Sequence, residues 1–132
     1  MKDLIFDEFQ NSVDECLLRH RSILDIMSKL QESQARVNRA LIKAVTSCGC
    51  LKVAAEKQHV PANIDNLNLD DICFDTHLKG NICDSCREIL EKELGNHFFY
   101  IASVCNSLDL NLYDIFLKEY KNINALGKYT LK

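Results

Sequence analysis

The stretch Cys83-Asp84-Ser85-Cys86-Arg87-Glu88-Ile89-Leu90-Glu91-Lys92-Glu93-Leu94, running on through Phe98 and Ile101 to Asn106, decides the fold. Its apolar residues Ile89, Leu90, Leu94, Phe98, Ile101 and Val104 recur at helical spacing. The spacing predicts one long helix from about Asp84 to Asn106. Phe99, Tyr100 and Cys105 widen the apolar face beyond a single stripe. A helix apolar on more than one side is expected to bury surface against a second copy of the chain as well as against its own neighbours.

The same stretch opens on a cysteine couple, Cys83 and Cys86. A second couple, Cys48-Gly49-Cys50, stands upstream, and residues 51–82 lie between them. Each couple places two sulfurs within reach of one ion, so all four can converge on a tetrahedral zinc. A structural zinc held by Cys48, Cys50, Cys83 and Cys86 is the reading these spacings favour. The alternatives are buried small hydrophobes, free thiols, or redox chemistry at Cys83 and Cys86, where a helix N-terminus would favour the thiolate. No thioredoxin-like βαβ pattern surrounds the second couple, which ranks the redox reading lower. Cys73 and His77 lie within 51–82 as substitute ligands. Cys16 and Cys105 fall on apolar faces and are expected in the core.

The rest of the chain reads as helical. The chain has 132 residues, one proline and four glycines, too few turn formers for an all-β fold. A first helix is predicted over roughly Lys2–Arg19, on Leu4, Ile5, Phe9, Val13, Cys16 and Leu17. A second begins at Ser22, where Ser22-Ile23-Leu24-Asp25 fits a capping box. Its stripe of Ile23, Ile26, Met27, Leu30, Val37, Leu41, Ala44 and Val45 runs to Cys48-Gly49-Cys50. The two also read as one helix kinked near His20. A fourth starts near Asp109 or Asn111, with Leu112, Ile115, Phe116 and Tyr120 on one face. The predicted fold is all-α: a single domain over 1–132, a four-helix bundle with an irregular insert at 51–82 between the second and third core helices. That insert is long for an unstructured loop, and a cysteine tether at both ends would explain how it is tolerated.

Composition narrows the function classes. Hydrophobic residues make up 47% and the net charge is −3, which implies no general affinity for nucleic acid or for an anionic membrane. No apolar run approaches the length of a membrane span. The acids of Met1-Lys2-Asp3-Leu4-Ile5-Phe6-Asp7-Glu8 stand where a secretory signal would be apolar, so a cytoplasmic location is expected. Seven cysteines in a reducing compartment point to metal or thiol chemistry before disulfides. Arg19, Arg21, Arg36 and Arg39 form a basic streak, read as a solvated face neutralised by neighbouring acids. His20, His59, His77 and His97 are scattered, and none pairs with a nucleophile pattern.

Among the acids, Glu93 interrupts the apolar face of the long helix and needs a partner there. Glu32, on the second helix, would share a cation with it. Carboxylates on facing helices suit Mg²⁺, which wants hard oxygen ligands and can clamp a nucleotide's phosphates. The sequence from Glu91 to Ile101, followed by Leu108-Asp109-Leu110-Asn111-Leu112, resembles the second metal motif of the all-α MazG-like nucleotide pyrophosphohydrolases. Lys29-Leu30-Gln31-Glu32 resembles the start of their first motif. The resemblance implies a Mg²⁺ site at Glu32 and Glu93, with Asn96, Lys118 and Asn122 near a nucleoside triphosphate. Two positions depart from the family's pattern: Ala35 and Asn96 stand where it has acids. Glu88 would be a replacement ligand. The resemblance thus implies a nucleotide-binding protein that, if active, releases pyrophosphate with Mg²⁺. The alternative is an inactive, homodimeric or tetrameric binding or regulatory module with a structural zinc.

Overall fold

A computed structural model describes residues 2–59 and 74–130. The described residues are mostly helical: α1 spans Lys2–Cys16, α2 Ile23–Lys43, α3 Asp84–Ser107 and α4 Leu112–Leu126. A π-helical turn, Ala44–Cys48, extends α2, and a 3-10 turn, Gly127–Thr130, follows α4. The only sheet among the described residues is a two-stranded antiparallel ribbon of β1, Leu51–Val53, and β2, Leu78–Gly80. The predicted irregularity of 51–82 is therefore corrected at both ends of that segment, where strands form. Its middle, residues 60–73 with Cys73, lies outside the described residues.

α2, α3 and α4 each start where the sequence provides a side-chain cap. Ser22 Oγ accepts a hydrogen bond from the Leu24 N–H, with Asp25 in the first turn of α2 and Lys43 in its last, both favourable to the helix dipole. Asn111 Oδ1 accepts from the Asp114 N–H at 2.9 Å and opens α4. The turn between α3 and α4 is a Schellman motif: Leu110 N–H bonds Cys105 O at 2.8 Å and Asp109 N–H bonds Asn106 O at 3.4 Å. That motif puts Asp109 in the left-handed region, φ 55°, a position usually given to glycine.

α1 stops at Cys16, not at Arg19. Arg21 turns back, and its guanidinium bonds Asp14 Oδ1 at 3.2 Å and the Asp14 carbonyl at 2.6 Å. This satisfies a free carbonyl at the helix end and separates α1 from α2, so the two are not one kinked helix. Cys16, expected in the core, is exposed; Gln10, Val13 and Leu17 carry the buried face instead. Cys105 is buried as expected.

α2 packs chiefly on α3, and α1 on α3 and α4. The buried residues are Val13 and Leu17 of the first segment, Ile26 and Ser33 of α2, Ala44 after it, Leu51 of β1, and Ala102, Ser103 and Cys105 of α3. Gln10 is buried in the same layer and fully bonded. Its Nε2 donates to Asn106 Oδ1 and to Leu110 O, both at 3.0 Å, and its Oε1 accepts from Leu112 N–H at 2.7 Å. Asn106 Nδ2 returns a bond to the Gln10 carbonyl at 2.9 Å. One glutamine thus clasps α1 to the α3–α4 turn.

Candidate metal centre

The ribbon explains how two distant cysteine couples meet. β1 begins immediately after Cys50, and β2 ends three residues before Cys83, with Leu51 opposite Gly80 and Val53 opposite Leu78. Beyond the ladder, Ala54 N–H bonds the His77 carbonyl at 2.8 Å. Further out, the Gln58 side-chain amide imitates a strand: Nε2 donates to Asp75 O at 2.7 Å and Oε1 accepts from Asp75 N–H at 2.9 Å. The described ends of the excursion are therefore zipped from Cys50 out to Gln58.

Two glycines shape this neck for different reasons. Gly49, between the first two cysteines, has φ 80° and open space where a Cβ would be. It lets the chain reverse after the π-helical turn, its N–H bonding Ala44 O at 3.0 Å. Gly80 has φ 85°, and a Cβ there would sit 2.6 Å from the Cys50 carbonyl oxygen. No side chain fits between β2 and the first cysteine couple.

The four sulfurs of Cys48, Cys50, Cys83 and Cys86 all lie within 4.8 Å of one another. Cys48 Sγ and Cys83 Sγ are 3.7 Å apart. Zinc–thiolate bonds of about 2.3 Å give a tetrahedron whose edge is about 3.8 Å, so this sulfur pair already spans such an edge. Cys83 is also the N-cap of α3, its sulfur accepting from the Cys86 N–H at 3.4 Å. That backbone hydrogen bond, followed by the Cys86 thiol, draws the Cys83 thiol down to about 7. The thiol of Cys86, bonded to Cys83 and then penalised by desolvation, is pushed up to about 12. A divalent cation bound by these sulfurs would displace their remaining protons. The donor set and spacing fit a closed Zn²⁺ site.

Among the described residues no other group of three or more His, Cys, Asp or Glu clusters at metal-ligating distance. His77 does not join the cysteines; its Nε2 is shielded from solvent without a hydrogen-bond partner.

The carboxylates are arranged differently from the thiols. Glu32 lines a cavity of about 230 Å³ with Lys29, Ser33, Arg36, Asn96 and Tyr100, so α2 and α3 do bring Glu32 and Asn96 together. Its Oε2 is bonded by Lys29 at 3.2 Å and its Oε1 by Arg36 at 3.3 Å. The Lys29 hydrogen bond, then its charge, holds the Glu32 carboxyl below the usual range. Two cations already claim this carboxylate. Glu88 is exposed on α3, and Lys118 and Asn122 are exposed on α4; none of the three lines this cavity. Glu93 has one oxygen, Oε2, shielded from solvent with no hydrogen-bond partner, which is the kind of atom a cation would satisfy. With Glu32 paired to Lys29 and Arg36 and a neutral Asn96 in the same cavity, this place offers less uncommitted carboxylate charge than the four-acid pattern the sequence resembles, and ligand charge sets much of a Mg²⁺ site's affinity.

One contact at this place was not legible from spacing. Ser33 Oγ lies 2.7 Å from His97 Nδ1 and 2.7 Å from the Leu30 carbonyl. A hydroxyl has one proton, so when Ser33 donates to Leu30 the imidazole Nδ1–H donates to Ser33. The pair sits between α2 and α3, one helical turn beyond Glu93.

No family model matches the chain, and no curated protein and no solved structure matches it either. No described helix is long and apolar enough to cross a membrane.

Proposed function

We propose that this chain is a MazG-like helical module that works by binding rather than by hydrolysis, with a structural zinc at its cysteine neck. In this reading it is a homodimer or tetramer. The observation that carries the proposal is the contrast in donor geometry. Four thiols gather within 4.8 Å, while Glu32 is committed to Lys29 and Arg36. Zinc would be held by Cys48, Cys50, Cys83 and Cys86 and would contribute folding energy rather than chemistry. The reading also accounts for Ala35 and Asn96, which remove two acids from the pattern the sequence resembles.

A second reading is supported by the unpartnered Glu93 Oε2. There the protein binds a nucleoside triphosphate through Lys118, Asn122 and Asn96. Mg²⁺ held by Glu32 and Glu93, with Glu88 as a further ligand, would supply the Lewis acid for pyrophosphate release.

One assay separates the two. Pyrophosphate release is measured over a panel of ribo- and deoxyribonucleoside triphosphates with Mg²⁺ or Mn²⁺, for the natural chain beside Glu93→Ala. The binding module gives no release above the variant. Release that is lost in Glu93→Ala would overturn it in favour of the hydrolase.

A further inference from the structure

Two of the four neck sulfurs are placed for each other as well as for an ion. Cys48 Sγ and Cys83 Sγ lie 3.7 Å apart, one at the end of the π-helical turn after α2 and the other at the N-cap of α3. A disulfide holds its sulfurs at about 2.05 Å, so an approach of about 1.7 Å would join them. Cys83 stands before the first turn of α3 with extended backbone. The turn that carries Cys48 is unobstructed beside it, since a Cβ at Gly49 would meet nothing within 4 Å.

The four sulfurs are not equally accessible. Cys48 is exposed, whereas Cys50, Cys83 and Cys86 are half-buried. Cys50 Sγ is turned back on the Ala44 carbonyl at 3.7 Å. A small oxidant in solution therefore meets Cys48 first, with Cys83 in contact beside it. Zinc-bound sulfurs are thiolates, and the thiolate is the form that a hydroperoxide oxidises.

We propose that Cys48 and Cys83 form a reversible disulfide under hydroperoxide, which releases the zinc and replaces an ion clasp of the neck by a covalent one. This rests on the structural zinc of the proposed function and assigns its regulation. The Cys48 sulfur attacks one peroxide oxygen; the O–O bond breaks, hydroxide leaves and a sulfenic acid remains. The Cys83 thiolate attacks that sulfur, the S–S bond forms and a second hydroxide leaves. Two electrons pass from the two sulfurs to the peroxide, and the hydroxides take up protons to become water. Only Cys50 and Cys86 then remain as ligands. Two thiolates do not complete a tetrahedral zinc site, so the ion leaves and both take up protons. A dithiol reverses the step: it becomes a disulfide itself, and Cys48 and Cys83 regain their thiols.

The new bond joins the same two chain segments that the ion joins, so the ribbon of β1 and β2 stays behind a closed clasp. Only a chain that is both reduced and metal-free has no clasp. The link runs between the two couples and so differs from dithiol catalysis, which would pair Cys83 with Cys86.

The test treats the full-length, zinc-loaded chain with hydrogen peroxide. Zinc release is read with a chromogenic chelator, disulfides by peptide mass spectrometry, and the neck by hydrogen exchange at residues 51–53 and 78–80. One zinc is expected to leave for each Cys48–Cys83 disulfide formed, with protection kept, and dithiothreitol with added zinc is expected to restore the starting state. Cys16→Ser removes an exposed thiol outside the cluster and is expected to change none of this. In the metal-free chain, Cys48→Ser is expected to abolish both the link and the protection that peroxide restores. Peroxide that leaves the zinc in place, that pairs the cysteines within each couple, or that releases zinc with no disulfide overturns the switch and leaves the structural zinc standing. A chain that takes up no zinc overturns the structural zinc itself, which its metal content shows before any oxidant is added.

Discussion

The two ends of α3 are held by opposite chemistry. At its start, Cys83 and Cys86 face Cys48 and Cys50, and the ribbon closes behind them. At its other end, after 24 residues and about 36 Å, Asn106 is held by the Gln10 amide and the Schellman turn. The first end has thiols that attract one another only weakly, and a shared ion would tie them together behind the ribbon. The second has donors and acceptors that satisfy each other without help. One helix can therefore lose order at one end while the other end stays closed, and each end can be broken separately.

Metal removal should divide the two ends most sharply. Chelation is expected to strip protection from hydrogen exchange at residues 51–53, 78–80 and 84–87, a loss on the order of 5 kcal/mol or more. The amides of Leu110 and Leu112 should keep theirs. Equal loss at both ends would show that the helix is one cooperative unit and would erase the contrast.

Gly80→Ala should act on the same end without touching a ligand. The added methyl meets the Cys50 carbonyl at 2.6 Å in a left-handed backbone, at a cost of about 3 kcal/mol. Gly49→Ala has the same backbone strain but open space, so it should cost less, about 1–2 kcal/mol. Denaturant midpoints of the two variants check the order.

The far end is broken by Gln10→Leu, which keeps the volume but leaves Leu112 N–H, Leu110 O and Asn106 Oδ1 without their partner, while Asn106 Nδ2 keeps its bond to the residue-10 carbonyl. A loss of about 2–3 kcal/mol is expected, with the metal content unchanged. The smallest effect is a gain: Asp109→Gly relieves a left-handed aspartate and should stabilise by about 1 kcal/mol. A loss on that change would mean that the Asp109 side chain is itself required at the turn.

The helices were legible because apolar residues repeat at their period over several turns, and Ser22 marks where α2 begins. The cysteine tetrad was legible because spacing alone brings two sulfurs of each couple within reach of one ion. The end of α1 was not, because Leu17 continues the apolar pattern although Arg21 has already closed the helix on Asp14. Cys16 was misplaced by the same continuation. The ribbon left no signal, since Leu51-Lys52-Val53 and Leu78-Lys79-Gly80 are too short to show alternation. Gln10 and His97 were missed for another reason. A polar residue on an apolar face reads as an interruption, and its partner lies far along the chain, at Asn106 in one case and Ser33 in the other. Glu93 was noticed as just such an interruption, and its buried oxygen shows why the position is unusual.

The central claim is that four cysteines hold one zinc and thereby close the neck. The most direct measurement is the metal content of the purified chain together with its X-ray absorption spectrum. One zinc per chain is expected, surrounded by four sulfurs at about 2.3 Å, and absent from a Cys48→Ser, Cys83→Ser double variant. A chain that purifies without zinc and does not take it up, or a zinc with nitrogen or oxygen neighbours that survives in the double variant, would contradict it.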